Sequence, residues 1–200
     1  MAETERPRNR RGEGSRLRGE IVAATLELID EVGDPAALSL RAVARTAGIS
    51  APAIYDHFAG LDAVRDAALE ECFTVLHSEV AAAVSDEADP VAALTAAASA
   101  YLGFARRYPA RYRLMFAGDG YAVNAVETFH VVETTIAAAV EAGLSASTNP
   151  HIDAWMVWAA LHGVATLAKP SRSSMLRLGT LDRPAMLRNM VLRLAGIRSD

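Results

Sequence analysis

Residues 39–58 read SLRAVARTAGISAPAIYDHF, and the fold is decided by what these twenty positions can do. They hold two short helical patterns joined by a glycine turn. Ser39 is placed to cap the first helix and Ser50 the second, because a serine hydroxyl accepts a bond from an amide that a helix start leaves without a partner. Between them Ala47-Gly48-Ile49 supplies a tight turn, with Gly48 free to take positive φ. Pro52 falls in the first turn of the second helix, where its missing N–H costs nothing. Helix, short glycine turn and helix make a helix-turn-helix unit, whose second helix enters the major groove of DNA.

The rest of the chain sets bounds on that reading. Its 200 residues are 52% hydrophobic and 22% charged, which suits a globular protein with a sizeable core. The net charge of −4 leaves no global basic field, so affinity for DNA has to come from a local patch. The single cysteine, Cys72, excludes an intramolecular disulfide and a Cys-x-x-Cys zinc pair, and its place on an apolar helical pattern predicts a buried thiol. No apolar run approaches the roughly 20 residues of a membrane helix, and the polar N-terminus carries no targeting pattern. A cytoplasmic protein without a cofactor is expected.

Residues 1–14, MAETERPRNRRGEG, hold no apolar run and are expected to form a disordered basic tail. Arg6, Arg8, Arg10 and Arg11 make it either a solvated tail or an arm that adds phosphate and minor-groove contacts. Residues 15–60 form the helix-turn-helix domain and residues 61–200 a second domain. A first helix is predicted from about 16 to 32, with Ile21, Thr25, Leu28 and Val32 at helical spacing and Gly33 closing it. After Gly60 a long fourth helix is predicted from about 61 to 84, with Val64, Ala68, Cys72, Leu76, Val80 and Val84 on its apolar face. Further helices are expected near 91–107, 109–116, 121–142, 150–168 and 184–195, with loops at 118–120 and 171–182. No stretch alternates with period two. The fold class is therefore all-α, with about nine helices: an N-terminal three-helix DNA-binding domain linked by a long helix to a C-terminal helical bundle.

Residues 18–66 resemble the N-terminal domain of TetR-family transcriptional regulators. The resemblance is carried by Ile21-Val22-Ala23-Ala24, Gly33, Ser39-Leu40-Arg41-Ala42-Val43-Ala44, Ala47-Gly48-Ile49-Ser50 and Ile54-Tyr55-Asp56-His57-Phe58. Further on, Tyr108-Pro109-Ala110-Arg111-Tyr112-Arg113-Leu114-Met115-Phe116 and Trp158-Ala159-Ala160-Leu161-His162-Gly163 resemble the WHG class of TetR C-terminal domains. The chain departs from the family at Leu61, where a lysine usually approaches a DNA phosphate, and Asp62 beside it repels DNA. The loop before Ser39 is also one residue longer than the family pattern.

Within the helix-turn-helix, Ala51, Pro52 and Ala53 are expected at the exposed tip of the second helix. They can touch thymine methyls but cannot read hydrogen-bonding edges. Base reading then falls on Arg41, since arginine pairs bidentately with guanine O6 and N7; its other reading is a solvent-facing charge. Tyr55 and His57 resemble the family's aromatic pair, which donates to phosphates, and Ser39, Arg45 and Ser50 add backbone contacts. Val43, Ala47, Ile49, Ile54 and Phe58 read as core.

The resemblance makes residues 61–200 a ligand-binding and dimerisation domain. Tyr101, Phe104, Met115, Phe116, Phe129, His130 and Trp155 are the candidate ligand residues, because aromatics and methionine line apolar pockets; the same residue types fill ordinary cores. His162 reads as structural. Trp158, Ala159, Gly163, Val164 and Leu167, with Leu187, Met190 and Val191, are the candidate dimer interface, or else they face the monomer core. The implied function is a ligand-responsive repressor that binds a palindromic operator as a homodimer and is released by a small apolar effector. Two other readings stand beside it. Leu61, the acidic net charge and the small tip keep open a TetR-like interaction or small-molecule-binding module that has lost operator binding. An enzyme rests only on Glu127-x-x-His130 with Glu133 one turn on, lacking a partner pair on another helix.

Overall fold

The computed structural model describes residues 13–117, 123–167 and 182–197. Among these, nine α-helices and a short 3-10 turn account for the regular structure. They are α1 (Glu13–Val32), the 3-10 turn (Pro35–Ala37), α2 (Leu40–Thr46), α3 (Ala51–Ile54), α4 (Leu61–Ser85), α5 (Pro90–Arg107), α6 (Pro109–Met115), α7 (Val123–Glu141), α8 (Pro150–Leu167) and α9 (Arg183–Leu194). No strand occurs among the described residues; the closest approach is one antiparallel bridge between Ser145 and Ile197. No described helix is long and apolar enough to cross a membrane. Helix α1 begins at Glu13, three residues before the expected start. The four arginines of the expected tail, the 118–120 loop, the end of the eighth helix at Ala168 and the 171–181 connection lie outside the described residues.

Local chemistry explains the boundaries. Prolines open α5, α6 and α8, where no intrahelical partner for the N–H is needed. Asp89 caps α5 with both carboxylate oxygens, accepting from Val91 N at 3.3 Å and Ala92 N at 3.0 Å. Asp182 caps α9 through Ala185 N. At the far end of α9, Ser145 Oγ donates to the Ala195 carbonyl at 2.6 Å and Ala146 N to the Gly196 carbonyl at 2.9 Å, fastening the chain end to the loop after α7. A Cβ on Gly196 would stand 2.9 Å from Ser147 N, so only glycine fits there.

One hydrophobic core runs through both halves. Ile21, Ile29, Val43, Ile54 and Phe58 pack the N-terminal domain, and α4 continues that core into the bundle through Val64, Ala68, Cys72, Leu76 and Val80. Those five recur every four residues and all are buried. Val84, expected on the same face, is only partly covered; it lines a surface groove with Pro90 and Ala138. Val32, expected on the buried stripe of α1, is 50% exposed. It is the last residue of the helix, and Leu28 and Ile29 take the core positions instead.

Burial pushes the Cys72 thiol up to about 12 from 9.0. The native protein is therefore expected to resist alkylation at pH 8 and to react fully in denaturant, as read by mass spectrometry. Rapid native labelling would contradict a buried α4 stripe.

Candidate functional site

The helix-turn-helix is built by short-range bonds. Ser39 caps α2, its Oγ accepting from Ala42 N at 3.3 Å. Helix α2 ends in a Schellman arrangement: Ile49 N donates to the Ala44 carbonyl at 2.9 Å and Gly48 N to the Arg45 carbonyl at 3.2 Å, with Gly48 at φ +66°. Ser50 does not cap α3 with its side chain. The reason is local. Pro52 has no N–H to offer, and Ala53 N is already taken by the Ser50 carbonyl at 3.0 Å. The Ser50 hydroxyl is left exposed.

Val43 and Ala44 of α2 and Ile54 of α3 point into the core, which turns Arg41 and Arg45 outward. Ser39, Ser50, Pro52 and Tyr55 are exposed as well, Tyr55 at 61%. His57 is half-buried. Of the expected tip residues only Pro52 is fully out; Ala51 and Ala53 are half-buried, and Ala51 packs against the core because α3 is a single turn pressed onto α2. Behind this surface, the Arg18 guanidinium lies 4.5 Å over the ring of buried Phe58. Leu61 packs against the core, and Asp62 is paired with Arg65 at 3.6 Å.

In the second domain the structure sorts the candidate ligand residues into two groups. Tyr101, Phe104, Met115 and Phe129 are buried and Phe116 is half-buried. Trp155 and His130 are not with them: Trp155 is 54% exposed and the His130 side chain 52%. They sit on the outside with His151 and Glu133. The Trp155 indole donates to His151 Nε2 at 3.3 Å, His151 Nδ1 lies 3.1 Å from Glu133, and His130 Nε2 lies 4.0 Å from it. No cluster suited to a metal ion is formed among the described residues. Two surface grooves of about 390 and 400 Å³ flank α5, and neither is lined by a candidate ligand residue.

The buried group has a polar centre that local spacing does not reveal. The hydroxyls of Tyr101 and Tyr112 are 2.9 Å apart, and the Tyr112 hydroxyl is 2.8 Å from His162 Nδ1. The hydroxyls line up as a relay in which Tyr101 donates to Tyr112 and Tyr112 donates to Nδ1. Rings enclose the chain: Tyr101 meets Trp158 edge-on at 5.6 Å, and Phe116 meets His162 at 4.4 Å. Burial raises Tyr101 far above the phenol range and Tyr112 to about 12 from 10.0, so both stay neutral. Tyr112 and His162 belong to this centre, and their partners lie 11 and 50 residues away in sequence.

The candidate dimer residues also divide. Leu187, 8% exposed, and Val191, fully buried, face the monomer core, since α9 turns its apolar side inward onto α5 and α8. Trp158 is half-buried against Tyr101. Gly163, Val164 and Met190 are half-buried, Ala159 is exposed and Leu167 is 77% exposed. Ala154, Val157 and Leu161 hold α8 to the bundle, so its opposite side carries Ile152, Trp155, Met156, Ala159, Gly163 and Leu167 as one apolar stripe. Ile152 and Met156 were not among the expected interface residues.

Two family descriptions match the chain. Residues 21–68 match bacterial regulatory proteins of the tetR family, and residues 94–194 match the tetracyclin repressor-like C-terminal domain. The chain is 28% identical over 186 residues to Rv0681 of Mycobacterium tuberculosis (strain ATCC 25618 / H37Rv), described as an uncharacterized HTH-type transcriptional regulator, across 89% of this chain and 79% of that protein. A solved protein of unknown function from Rhodococcus sp. RHA1 is similar at 26% identity and a TM-score of 0.69, covering 96% of this chain and 95% of that one. RolR in complex with resorcinol shares the fold at 14% identity and a TM-score of 0.59, covering 92% of this chain and 97% of its own.

The neutral phenols give a pH signature. Their burial is fully tolerated below pH 10.0, the ordinary phenol value, and costs stability as pH rises toward about 12, where unfolding releases a proton from Tyr112. Stability is expected to fall across that window, and to fall less steeply in Tyr112→Phe. An unchanged slope in the variant, read by denaturant titration at several pH values, would contradict the buried chain.

Proposed function

The chain belongs to the tetR family of bacterial regulatory proteins, DNA-binding transcription regulators rather than enzymes, and from that premise we propose that it is a ligand-responsive repressor. It acts in the cytoplasm, binds a palindromic operator as a homodimer and leaves it when a small apolar effector occupies the second domain. The single observation that carries this reading is the outward pair Arg41 and Arg45 on α2, in a helix-turn-helix that is closed by Gly48 and also exposes Tyr55. Arg41 is the base reader. Arg45, Ser39, Ser50, Tyr55 and His57 hold phosphates and set the register, and Pro52, with Ala51 and Ala53 behind it, meets thymine methyls.

Dimerisation follows from symmetry and exposed surface. A two-fold operator needs two recognition elements about 34–36 Å apart, so two copies must be held rigidly. The α8 stripe is too apolar to suit bulk water, and each large side chain it buries contributes about 1.5–3 kcal/mol. Ala159, Gly163 and Val164 allow close helix approach at its middle, and Leu167 and Met190 extend it. The effector reading is supported by Tyr101, Phe104, Phe116 and Phe129 with Met115, aromatic and thioether side chains grouped with a pair of bonded tyrosine hydroxyls. RolR, of the same fold, holds resorcinol. An effector releases DNA only by preferring the DNA-incompatible state.

A module without operator binding is the second reading. It is favoured by Leu61, folded against the core where the family extends a lysine, and by exposed Asp56 and Asp62. A mobility shift with duplex from the chain's own upstream region decides between the two. Binding that weakens steeply between two salt concentrations supports the repressor, and no binding at low salt supports the module. Arg41→Ala is expected to cost about 1–3 kcal/mol and relax preference at one base pair, whereas Arg45→Ala weakens all sequences alike and flattens the salt slope by about 1. Unchanged preference in Arg41→Ala would remove it as the reader. Sedimentation is expected to give a dimer for the native chain and a monomer for Met156→Glu with Leu167→Glu; a dimer that survives both substitutions would place the interface elsewhere.

A further inference from the structure

Helix α6 is seven residues long and is held from two domains at once. Its central Tyr112 is bonded inside the bundle to Tyr101 and His162. The arginines on either side of Tyr112 reach the N-terminal domain. Arg111 sets Nε and Nη2 on the same Asp30 oxygen, at 2.8 and 2.6 Å, with its guanidinium 4.6 Å over the Tyr108 ring. Arg113 donates through Nη2 to the Gly33 carbonyl. The Arg111 side chain is 19% exposed and that of Asp30 34%, so the guanidinium end of the pair is the better covered one, and its two bonds to one charged oxygen make it directional.

Asp30 and Gly33 mark the joint where α1 hands over to the helix-turn-helix. Asp34, next in the chain, caps the 3-10 turn through Ala36 N at 2.9 Å, and that turn leads through buried Leu38 to the Ser39 cap of α2. Helix α1 has no basic residue in its last turn. The cations that complement the negative end of its dipole come instead from α6, across the domain boundary.

We propose that Arg111 and Arg113 are the coupling between the sensing centre and the DNA-binding unit, carrying a change at Tyr112 straight into the C-terminal end of α1, in parallel with α4. The inference rests on the second domain being the sensor. A carbonyl or phenol on an otherwise apolar ligand that takes over the Tyr112 hydroxyl displaces α6, and α6 moves only by dragging or dropping Asp30 and Gly33. Arg111 and Arg113 are positioning residues; neither needs to touch ligand or DNA.

Amide hydrogen exchange on the full chain, without DNA or effector, reads this link separately from the function itself. Tyr112→Phe removes the hydroxyl and leaves the ring. It is expected to speed exchange of the peptide spanning residues 30–47 at least threefold, with α9 unchanged. Arg111→Ala with Arg113→Ala speeds the same peptide, and adding Tyr112→Phe to that pair has no further effect there. The charge-reversed pair Asp30→Arg with Arg111→Asp restores the response to Tyr112→Phe. Acceleration confined to residues 61–116, or an equally large effect of Tyr112→Phe with the arginines removed, would overturn the proposal. Circular dichroism on every variant separates loss of coupling from loss of fold.

Discussion

Val64, Ala68, Cys72, Leu76 and Val80 form one buried stripe on α4, and both domains are packed against it. The stripe is what makes two small helical units a single body. The N-terminal domain has too few buried residues to be more than marginal alone, so sharing α4 with the bundle supplies the rest of its core. The same constraint fixes which residues of the helix-turn-helix are left outward. With Ile21, Ile54 and Val64 all buried in the shared core, α2 and α3 are held against it, and Arg41, Arg45 and Tyr55 are left exposed.

Around this beam the chain places its polar bonds with economy. The interior of the bundle carries the Tyr101–Tyr112–His162 chain. The domain boundary carries Arg111–Asp30 and Arg113–Gly33. Both belong to α6, the one short helix between α5 and α7. A fully satisfied polar network specifies a unique arrangement, because any other packing leaves a buried hydroxyl without a partner. Helix α6 is therefore held in register by directional polar bonds, whereas α4 is held by apolar burial.

Much of this was legible in the sequence, and what was not has a physical cause. Gly33, Gly48, Pro90, Pro109 and Pro150 mark helix ends because φ and the missing N–H act locally. The period-four spacing of Val64 to Val80 gave the α4 face directly. Ser50 misled because a serine before a helix usually caps it, and Pro52 removes the donor. The outward side of Trp155 was not legible for a different reason: α8 is apolar on both sides, so periodicity cannot say which side meets the bundle, and Ala154, Val157 and Leu161 took it. Leu187 and Val191 sit inward because the polar residues of α9 claim the water-facing side. The centre at Tyr112 and the clamp at Asp30 join residues 50 and 81 positions apart, beyond any local pattern.

The account stands or falls on a two-fold dimer reading DNA through α2 and α3. The most direct measurement is a hydroxyl-radical footprint of the full chain on duplex from its own upstream region at low salt. Two symmetric protected patches, centred about 34–36 Å apart or a multiple of that, are the predicted result. A single asymmetric patch, or no protection at any protein concentration, would contradict it.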